Sequence, residues 1–517
     1  MKSFRDLKIG LDEELSERLA WLVPNYASFR IRRKSVDARR SSDPHWVYSV
    51  DIYEAGEAPL EGELHLDPVN IPASLERPLI IGSGPAGLFA ALRFVERGVP
   101  CVLLERGSEG PKRINAINRF WRYGELDPHN NVCFGEGGAG LYSDGKLITR
   151  IKSPHIPYVM DRLVKFGAPD EIRYLSNPHV GSDRIRRVIP KLRAHLIESG
   201  CEIHFDTPMK RLLTDEAQLI GVESSDGRRF MSKHVIVATG HSAEDVLEHF
   251  ADLGVAMEGK SYALGLRIEH PQKLINKIQF RSQAEDPRLG AANYRLADHD
   301  EGSGIGVYSF CMCPGGFVLS SGTSDRGLVV NGMSNYNRGS PFANAAMVVS
   351  INHEKRFGND LFGGLKFRRE LEQKALSSVH AAGGTRQIPV QSVTDFLAGR
   401  KGEALKTSSP SGAVATRLDL LLPPDLVENL RSSLERFNQN MRGFISQEAQ
   451  FHAIESRTSC PVRVTRDSAT FESISHRGLY PCGEGAGYAG GITSAAVDGI
   501  RAAEAIIAQV ASQAVLG

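Results

Sequence analysis

The stretch "IIGSGPAGLFAALRFVERGVPCVLLERG" at residues 80–107 constrains the fold of this chain more than any other feature. An apolar run at 78–81 predicts a short strand, a glycine-rich turn follows, and a helical pattern continues to Arg97. A second apolar run at 99–104 predicts the next strand. Strand, glycine turn, helix and strand in this order are typical of a parallel sheet that binds a dinucleotide.

The turn between the first strand and the helix supplies the predicted cofactor contacts. It consists of Gly82, Ser83, Gly84, Pro85, Ala86 and Gly87. Gly82 permits a tight turn, Gly84 lets backbone amides approach a pyrophosphate, and Gly87 lets the helix pack closely on the sheet. The free N–H groups and the dipole at the helix N-terminus then favour the anion.

The acid that ends the second strand indicates which dinucleotide is bound. Glu105 follows Gly84 by 105 − 84 = 21 residues, where a carboxylate holds a ribose 2′-hydroxyl. A carboxylate repels a 2′-phosphate, so the turn, Glu105 and the adjacent Arg106 predict FAD or NAD and not NADP.

A glycine-rich stretch favours FAD over NAD. "NNVCFGEGGAGLYSDGKL" at 130–147 has neither a helical nor a strand period, so it predicts a loop that approaches a large ligand closely. Its predicted cofactor-binding residues are Gly135, Gly137, Gly138, Ala139 and Gly140.

Two further stretches lead to the same cofactor. Residues 206–237 alternate apolar and polar residues between turn signals, which predicts a three-stranded antiparallel meander and then a strand that ends before Thr239 and Gly240. "GLYPCGEGAGYAGGITSAAVDGIRAAEAII" at 478–507 predicts another strand, glycine turn and long helix.

With these motifs, the chain resembles FAD-dependent oxidoreductases of the glutathione-reductase structural superfamily, specifically the poorly characterised bacterial-type FAD-dependent dehydrogenases. The resemblance rests on GSGPAG at 82–87, GEGGAG at 135–140, ATG at 238–240 and GLYPCGEGAGYAGG at 478–491. SFCMCPGG at 309–316 and NGMSNYNRGS at 331–340 are also similar to that group.

The resemblance implies a contact for each part of FAD. The glycines of the first turn would meet the pyrophosphate, Glu105 the adenosine ribose, and backbone near Met209 the adenine. Glu484 would hydrogen-bond a ribityl hydroxyl at a place where superfamily members commonly have Asp. The last helix would point its N-terminus at the flavin ring, where its dipole stabilises negative charge. The implied contacts at this end are Gly483, Glu484, Gly490, Gly491 and Ile492.

These elements predict an α/β chain of three parts. A Rossmann-like FAD-binding domain, with a parallel sheet and an antiparallel meander, would be built from residues 76–250 and 446–517. An inserted α+β substrate domain would occupy 251–445, and a small N-terminal α+β appendage would occupy 1–75. No second GxGxxG lies between a strand and a helix, so NAD(P)H is expected at most as a transient electron donor that uses a shared pocket.

Composition argues against several partner classes. Lys and Arg number 62 against 61 Asp and Glu, so a net charge of +1 makes nucleic acid an unlikely partner. No apolar run is long enough to cross a bilayer, and the charged first residues are unlike a signal peptide, so we expect a soluble, cytoplasmic protein. The seven scattered cysteines predict neither a disulfide framework nor a metal site.

Three groups are candidates for chemistry beside the flavin. Arg267 and Glu269 share one strand face and could form an anion clamp with an acid/base, or simply a structural ion pair. Cys311 and Cys313 could exchange electrons with the flavin, although their spacing favours a packing role. Tyr488 would lie close to the cofactor if the resemblance holds, which makes it the third catalytic candidate.

The leading hypothesis is an FAD-dependent oxidoreductase that transfers a hydride between flavin and a small-molecule substrate, with an external electron donor or acceptor. One alternative is a flavoprotein that binds or modifies RNA through the appendage, whose basic residues are Arg30, Arg32, Arg33, Lys34, Arg39 and Arg40. A second alternative is a flavin-binding protein without turnover.

Overall fold

The computed structural model describes residues 1–39, 43–57, 66–69, 75–302 and 304–516, and it is a mixed α/β structure with a parallel sheet. Arg40 of the basic run lies outside the described residues. The N-terminal part forms a three-stranded antiparallel sheet of order β1-β3-β2, covered by one helix. Its elements are β1 (Lys2–Ile9), α1 (Leu15–Leu22), β2 (Ser28–Asp37) and β3 (His45–Tyr53).

The next part of the chain contains the predicted βαβ unit and the meander. Its elements are β4 (Leu79–Ile81), α2 (Pro85–Glu96), β5 (Cys101–Leu104), α3 (Gly110–Tyr123), α4 (His155–Lys165), α5 (Ser182–Glu198), β6 (Cys201–His204), β7 (Met209–Asp215), β8 (Gln218–Ser224), β9 (Arg229–Met231), β10 (Val235–Val237) and α6 (Glu244–Asp252). Strands β7, β8 and β9 form the antiparallel meander that their sequence predicts.

The middle of the chain contains most of the strands. Its elements are β11 (Met257–Gly259), β12 (Tyr262–Pro271), α7 (Gln272–Phe280), β13 (Ala297–Asp300), β14 (Ile305–Cys313), β15 (Gly316–Ser320), β16 (Val330–Ser334), β17 (Phe342–Ile351), α8 (His353–Phe357), α9 (Gly363–Ala381), β18 (Ile388–Ser392), α10 (Val393–Ala398), β19 (Ala413–Ala415), α11 (Leu418–Leu421) and α12 (Pro424–Asn440). The last elements are β20 (Gln450–Glu455), β21 (Val462–Val464), β22 (Leu479–Pro481) and α13 (Ile492–Leu516).

The parallel sheet collects strands from distant parts of the chain. Its order is β22-β10-β4-β5-β6, and every neighbouring pair is parallel. The carboxyl ends of parallel strands meet at one edge, so the segments that follow β4, β5, β10 and β22 lie together there. Helices α2 and α13 pack against each other so closely that a Cβ on Gly499 would come within 2.0 Å of the Ala86 carbonyl oxygen.

The second large sheet has seven strands in the order β13-β14-β17-β12-β20-β18-β19. All its pairings are antiparallel except β18 with β19. Strand β20 is bonded to both β12 and β18, although it lies after the predicted boundary at 445/446. That boundary would separate β20 from its own sheet. The domain bounds stay a prediction, and β20 is fully buried, so it shows no alternation from which its sheet can be read.

Candidate functional site

A cavity lies along the carboxyl edge of the parallel sheet, with about 1290 Å³ of empty space including its open mouth. Glu105 and Met209 line one end, and Gly84 lines the wall beside the N-terminus of α2. Cys311 and Glu455, from the seven-stranded sheet, line another part of the same cavity. The cavity thus joins the glycine turn to both sheets.

The first glycine turn forms an open cradle at the N-terminus of α2. A Cβ on Gly84 would meet no atom within 4 Å, because this position faces the cavity. A Cβ on Gly87 would come within 1.9 Å of the Gly82 carbonyl oxygen, so Gly87 serves close packing as its spacing predicts. Gly82 itself has φ +104°, which favours glycine. The cradle and the helix N-terminus fit a pyrophosphate.

The loop at 130–140 is held in place by one buried guanidinium. Arg113 of α3 is fully buried and donates hydrogen bonds to five backbone carbonyls. The acceptors are the carbonyl oxygens of Asn131 at 3.0 Å, Val132 at 2.9 Å, Gly135 at 3.4 Å, Glu136 at 2.5 Å and Gly138 at 2.8 Å. This network sets the loop against the first turn, where a Cβ on Gly138 would lie 3.0 Å from the Gly84 Cα atom.

Glu105 connects the first turn to this loop. One carboxylate oxygen accepts from Ser83 N at 2.8 Å and Ser83 Oγ at 2.7 Å. The other accepts from Gly107 N and Gly135 N, each at 3.0 Å. Glu105 also lines the cavity beside Arg106, where the ribose was predicted. Its ribose contact therefore stays a prediction, and its structural role is to fix three backbone segments.

The glycine turn that follows β22, at 482–491, is held in place by an ion pair behind it. Asp498 of α13 accepts from Gly483 N at 2.7 Å and pairs with Arg466, whose Nη2 lies 2.6 Å from Oδ1. The Arg466 guanidinium also lies 3.7 Å from the centre of the Tyr488 ring. The Tyr488 hydroxyl donates to the Val464 carbonyl oxygen at 3.0 Å. Tyr488 does not line the cavity and supports the turn, and its catalytic role stays a prediction.

Glu484 lines the cavity together with Gly491 and Ile492 at the N-terminus of α13. Burial raises the pKa of its carboxyl to about 8, and Lys260 opposes this shift. The carboxyl is therefore largely protonated at neutral pH and can donate a hydrogen bond. Helix α13 is tied to the glycine-rich stretch at 130–147 because Thr493 Oγ1 donates to the Leu147 carbonyl oxygen at 2.7 Å.

Arg267 organises the cavity wall that comes from the seven-stranded sheet. It has no exposed surface, and its Nε and Nη2 contact the two carboxylate oxygens of Glu455 at 2.8 and 3.0 Å. It also donates to the Cys311 carbonyl oxygen and to Asn331 Oδ1, each at 3.3 Å. Glu455, Cys311 and Asn331 all line the cavity, whereas Arg267 lies behind them.

The predicted clamp of Arg267 with Glu269 is not formed. The Glu269 carboxylate instead accepts from the Ser408 side chain and lies 3.5 Å from His452 Nε2. Both Arg267 and Glu269 are buried and neither lines the cavity, so their catalytic roles stay predictions. The reason is that β12 is covered on both faces, which places its polar side chains inside the protein.

A second charged group faces the cavity from the segment after β20. The Arg457 guanidinium pairs with Glu372 at 2.9 Å and donates to Ser242 Oγ at 3.0 Å and Thr323 Oγ1 at 2.8 Å. His241, which also lines the cavity, is hydrogen-bonded to Ser242 Oγ at 2.8 Å through Nδ1. Burial, reinforced by nearby arginines, lowers the pKa of His241 to about 3, so the ring is neutral.

Most predicted cofactor-binding residues line this one cavity. They are Gly82, Gly84, Pro85, Ala86, Glu105, Arg106, Gly138, Ala139, Gly140, Met209, Thr239, Gly240, Glu484, Gly491 and Ile492. The others shape the backbone around the cavity without lining it. They are Ser83, Gly87, Gly135, Gly137, Gly483 and Gly490.

The sequence analysis did not identify Arg113 as a site residue. A signal was available, because Arg113 shares the buried face of α3 with Ile117 and Trp121 at a spacing of four residues. Glu455 and Arg457 were also missed, because the last residue of a short buried strand and a residue just after it gave no comparable signal.

The basic strand at the N-terminus is largely engaged with protein groups. Arg32 pairs with Asp51, and Arg33 Nε donates to Ser176 Oγ at 2.8 Å. The Lys34 ammonium lies 4.2 Å from the centre of the Trp46 ring. These contacts do not favour the RNA alternative. Across the described ranges, none of the helices combines the length and hydropathy that a membrane span requires.

Comparison with known proteins agrees with this site. Residues 261–458 match a family model described as "FAD-dependent protein, C-terminal domain-like". An uncharacterised protein of Clostridium beijerinckii is 38% identical over 518 residues, which cover 97% of this chain and 96% of that relative.

Two solved structures illustrate the more distant likenesses. Glycine oxidase from Bacillus cereus is 12% identical, with 84% of this chain and 95% of that chain covered and a TM-score of 0.31. Glycerol-3-phosphate dehydrogenase from Bacillus halodurans, in complex with FAD, is 10% identical, with coverages of 86% and 66% and a TM-score of 0.35. The resemblance found in the sequence is confirmed by the family match and the clostridial relative: this chain belongs to a poorly characterised family of FAD-dependent proteins.

Proposed function

We propose that this protein is an FAD-dependent oxidoreductase that transfers a hydride between the flavin and an organic substrate. The observation that carries the proposal is the continuity of the cavity from the open cradle at Gly84 to the polar wall formed by Asn331, Glu455 and Arg457. A cofactor in the cradle and a small molecule at that wall would share one enclosed space, which is the arrangement that hydride transfer requires.

Particular residues would hold each part of FAD. The turn at 82–87 and the N-terminus of α2 would bind the pyrophosphate, with Glu105 and Met209 towards the adenosine. Glu484 and the N-terminus of α13 would lie towards the flavin ring. Bound FAD would supply the hydride-transfer chemistry, which no side chain provides.

The residues around the ring position would control charge and protons. The N-terminus of α13 would favour negative charge nearby, because the helix begins at Ile492, which lines the cavity. The Glu484 carboxyl holds a proton at neutral pH and can donate it in a hydrogen bond. The neutral His241 ring adds a second polar group without adding charge.

The wall that would contact the substrate is polar, and its charged side chains are paired with one another or with groups behind it. Glu455 is paired with Arg267, and Arg457 is paired with Glu372. Each charge therefore already has a partner, and a substrate would be recognised through hydrogen bonds more than through net charge. We accordingly propose a small or medium polar organic substrate, and a transient nicotinamide donor that would enter through the same cavity.

The test begins with the purified protein, which should be yellow and release FAD on heating. Gly491 and Gly490 offer a matched pair for the flavin end, because a Cβ at either position would meet no atom within 4 Å but only Gly491 lines the cavity. Gly491→Val should weaken FAD retention, and Gly490→Val should not. A folded, colourless protein that cannot take up FAD would overturn the proposal.

Turnover is tested separately by following flavin bleaching without oxygen in the presence of candidate donors. We expect slow bleaching by NADH and NADPH with less than about tenfold preference, or roughly 1.4 kcal/mol, because no second anion-binding turn was predicted. Bound FAD that no donor reduces in a substrate-dependent way would favour the alternative of a non-catalytic flavin-binding protein.

A further inference from the structure

Strand β14 departs from regular pairing where its two cysteines lie. Phe310 pairs with Ala346, and Cys313 pairs with Asn344. Strand β14 therefore advances by three residues where its partner β17 advances by two. This is a β-bulge, and Cys311 within it has φ +43°, a left-handed conformation that is uncommon outside glycine. The bulge turns the Cys311 side of the strand towards the cavity.

The bulge also places the Cys313 thiol against the backbone of residue 311. In a regular strand, residues two apart are separated by about 6.6 Å, near the upper limit for the Cα atoms of a disulfide. Here the strand is irregular, and Cys313 Sγ donates to the Cys311 carbonyl oxygen at 3.3 Å. Cys313 is fully buried, whereas Cys311 is partly exposed and lines the cavity.

The surroundings of Cys311 favour its thiolate. A hydrogen bond from the Cys313 thiol lowers the pKa of Cys311, and the cations of Lys146 and Arg267 act in the same direction against burial. The same interaction raises the pKa of Cys313. One sulfur is thus suited to react first, and the other keeps its proton.

We propose that Cys311 and Cys313 form a dithiol–disulfide couple that exchanges an electron pair with the flavin in the adjoining cavity. The inference rests on the proposed function, since it needs FAD in this cavity. Oxidation of the pair breaks two S–H bonds, forms one S–S bond and releases two electrons and two protons. The oxidised flavin takes up both electrons and one proton, and the second proton passes to solvent; disulfide reduction is the reverse.

The chain contains a second cysteine pair that serves as a control. Cys101 and Cys201 are partners across β5 and β6, and both are buried. Neither lines the cavity, so Cys201→Ala should leave exchange with the flavin unchanged.

The experiment uses holoprotein whose FAD content has been measured. The protein is treated with diamide, freed of reagent, made anaerobic and illuminated with EDTA, which reduces the flavin but not thiols directly. Alkylation and peptide mass spectrometry then report the state of positions 311 and 313. We expect a 311–313 disulfide after diamide, two free thiols after illumination, and an intact disulfide in a dark control with EDTA.

Variants test the assignment. Cys311→Ser should leave Cys313 equally alkylated in light and dark, and Cys313→Ala should do the same for Cys311, with FAD retention as the check of folding. The Cys201→Ala protein should behave like the wild type. Free thiols at 311 and 313 after diamide, or a disulfide that persists while the flavin is bleached, would overturn the couple. A folded protein without FAD would instead overturn the proposed function.

Discussion

Arg267 and Glu455 form a two-contact ion pair between neighbouring strands, with both side chains buried and N···O distances of 2.8 and 3.0 Å. Glu455 reaches the cavity, and Arg267 does not. The arginine chosen from the sequence as a substrate clamp therefore acts through another residue. It fixes the position and the charge of a carboxylate that faces the ligand space.

Removal of this arginine should be costly. Arg267→Met leaves Glu455 as a buried charge without its partner, and we expect a loss of roughly 3–5 kcal/mol in the free energy of unfolding. The double variant with Glu455→Gln should recover part of that loss, because no uncompensated charge remains. Urea unfolding of the single and double variants measures this coupling, and additive losses would contradict it.

Two glycines of the first turn should separate cofactor binding from packing. Gly84→Val places its side chain in the cavity, so the protein should fold normally and lose FAD. Gly87→Ala places a Cβ against the Gly82 carbonyl oxygen, so it should lower the melting temperature whether or not FAD is present. Flavin absorbance and thermal unfolding distinguish the two. An unstable Gly84→Val protein would argue against an open cradle.

Arg113 should be essential for the conformation of the loop at 130–140. Arg113→Met removes five hydrogen bonds to carbonyls, and hydrogen bonds to a charged group contribute roughly 1.5–3 kcal/mol each, so we expect at least about 3 kcal/mol of destabilisation and weaker FAD retention. Arg119 lies on the same helix but is exposed and paired with Glu125. Arg119→Met should cost only about 0–1 kcal/mol. Equal effects in chemical denaturation would refute the role assigned to Arg113.

The stability of the FAD-free protein should depend on pH through Glu484. Its folded-state pKa of about 8 lies above the roughly 4.3 of an unfolded chain, so the folded state binds the extra proton between these values. The free energy of unfolding therefore falls as pH rises through this window, by at most about 1.4 kcal/mol per pH unit from this group.

Glu484→Gln has no titrating carboxyl at this position, so it should lose the part of the pH dependence of unfolding that Glu484 contributes. Its stability relative to the wild type should rise between pH 5 and 8, measured by urea unfolding at several pH values. The exposed Glu428 of α12 provides a control for the loss of one carboxylate. A constant difference between Glu484→Gln and wild type across this range would contradict the raised pKa.

The N-terminal sheet should be dispensable for FAD binding. Its core includes Ile9, Leu19 and Val50, and no described residue of 1–57 lines the cavity. Leu66 and Val69, however, pack against the core around α2, and Val69 N donates to the Arg97 carbonyl oxygen at 2.9 Å. A chain that begins at Leu66 should therefore keep FAD. A chain that begins at residue 76, the predicted start of the FAD-binding domain, would lack both residues and lose this packing.

FAD content and melting temperature of the shortened chain provide the measurement. A protein that begins at Leu66, folds and contains no FAD would show that the N-terminal sheet supports the cavity from outside.

Local patterns in the sequence predicted the parts of the cavity that depend on backbone shape. The turn at 82–87 and the segment at 478–507 each have strand, glycine and helix signals within a short stretch, and parallel pairing then places them together. The meander was likewise predicted from alternation and two turns.

Partner choice between distant side chains could not be predicted. Glu455 lies 188 residues after Arg267, and strand β12 is buried on both faces, so alternation could not reveal which of its side chains faces the ligand space. The same difficulty applies to β20, whose sheet could not be predicted from its sequence. A strand that is buried on both faces lacks the alternation of polar and apolar residues, so the sequence does not indicate which sheet it joins.

The strand order of the parallel sheet has a consequence for synthesis on the ribosome. Strand β4 at 79–81 and its neighbour β10 at 235–237 emerge long before β22 at 479–481 and α13, which supply the far edge of the sheet and the second helix N-terminus. Until those last elements are translated, β10 has an unpaired edge, and helix α2 lacks the partner that covers it. The nascent chain must therefore stay competent to fold until β22 and α13 have been synthesised, and a bound nucleotide would lock the structure only after that point.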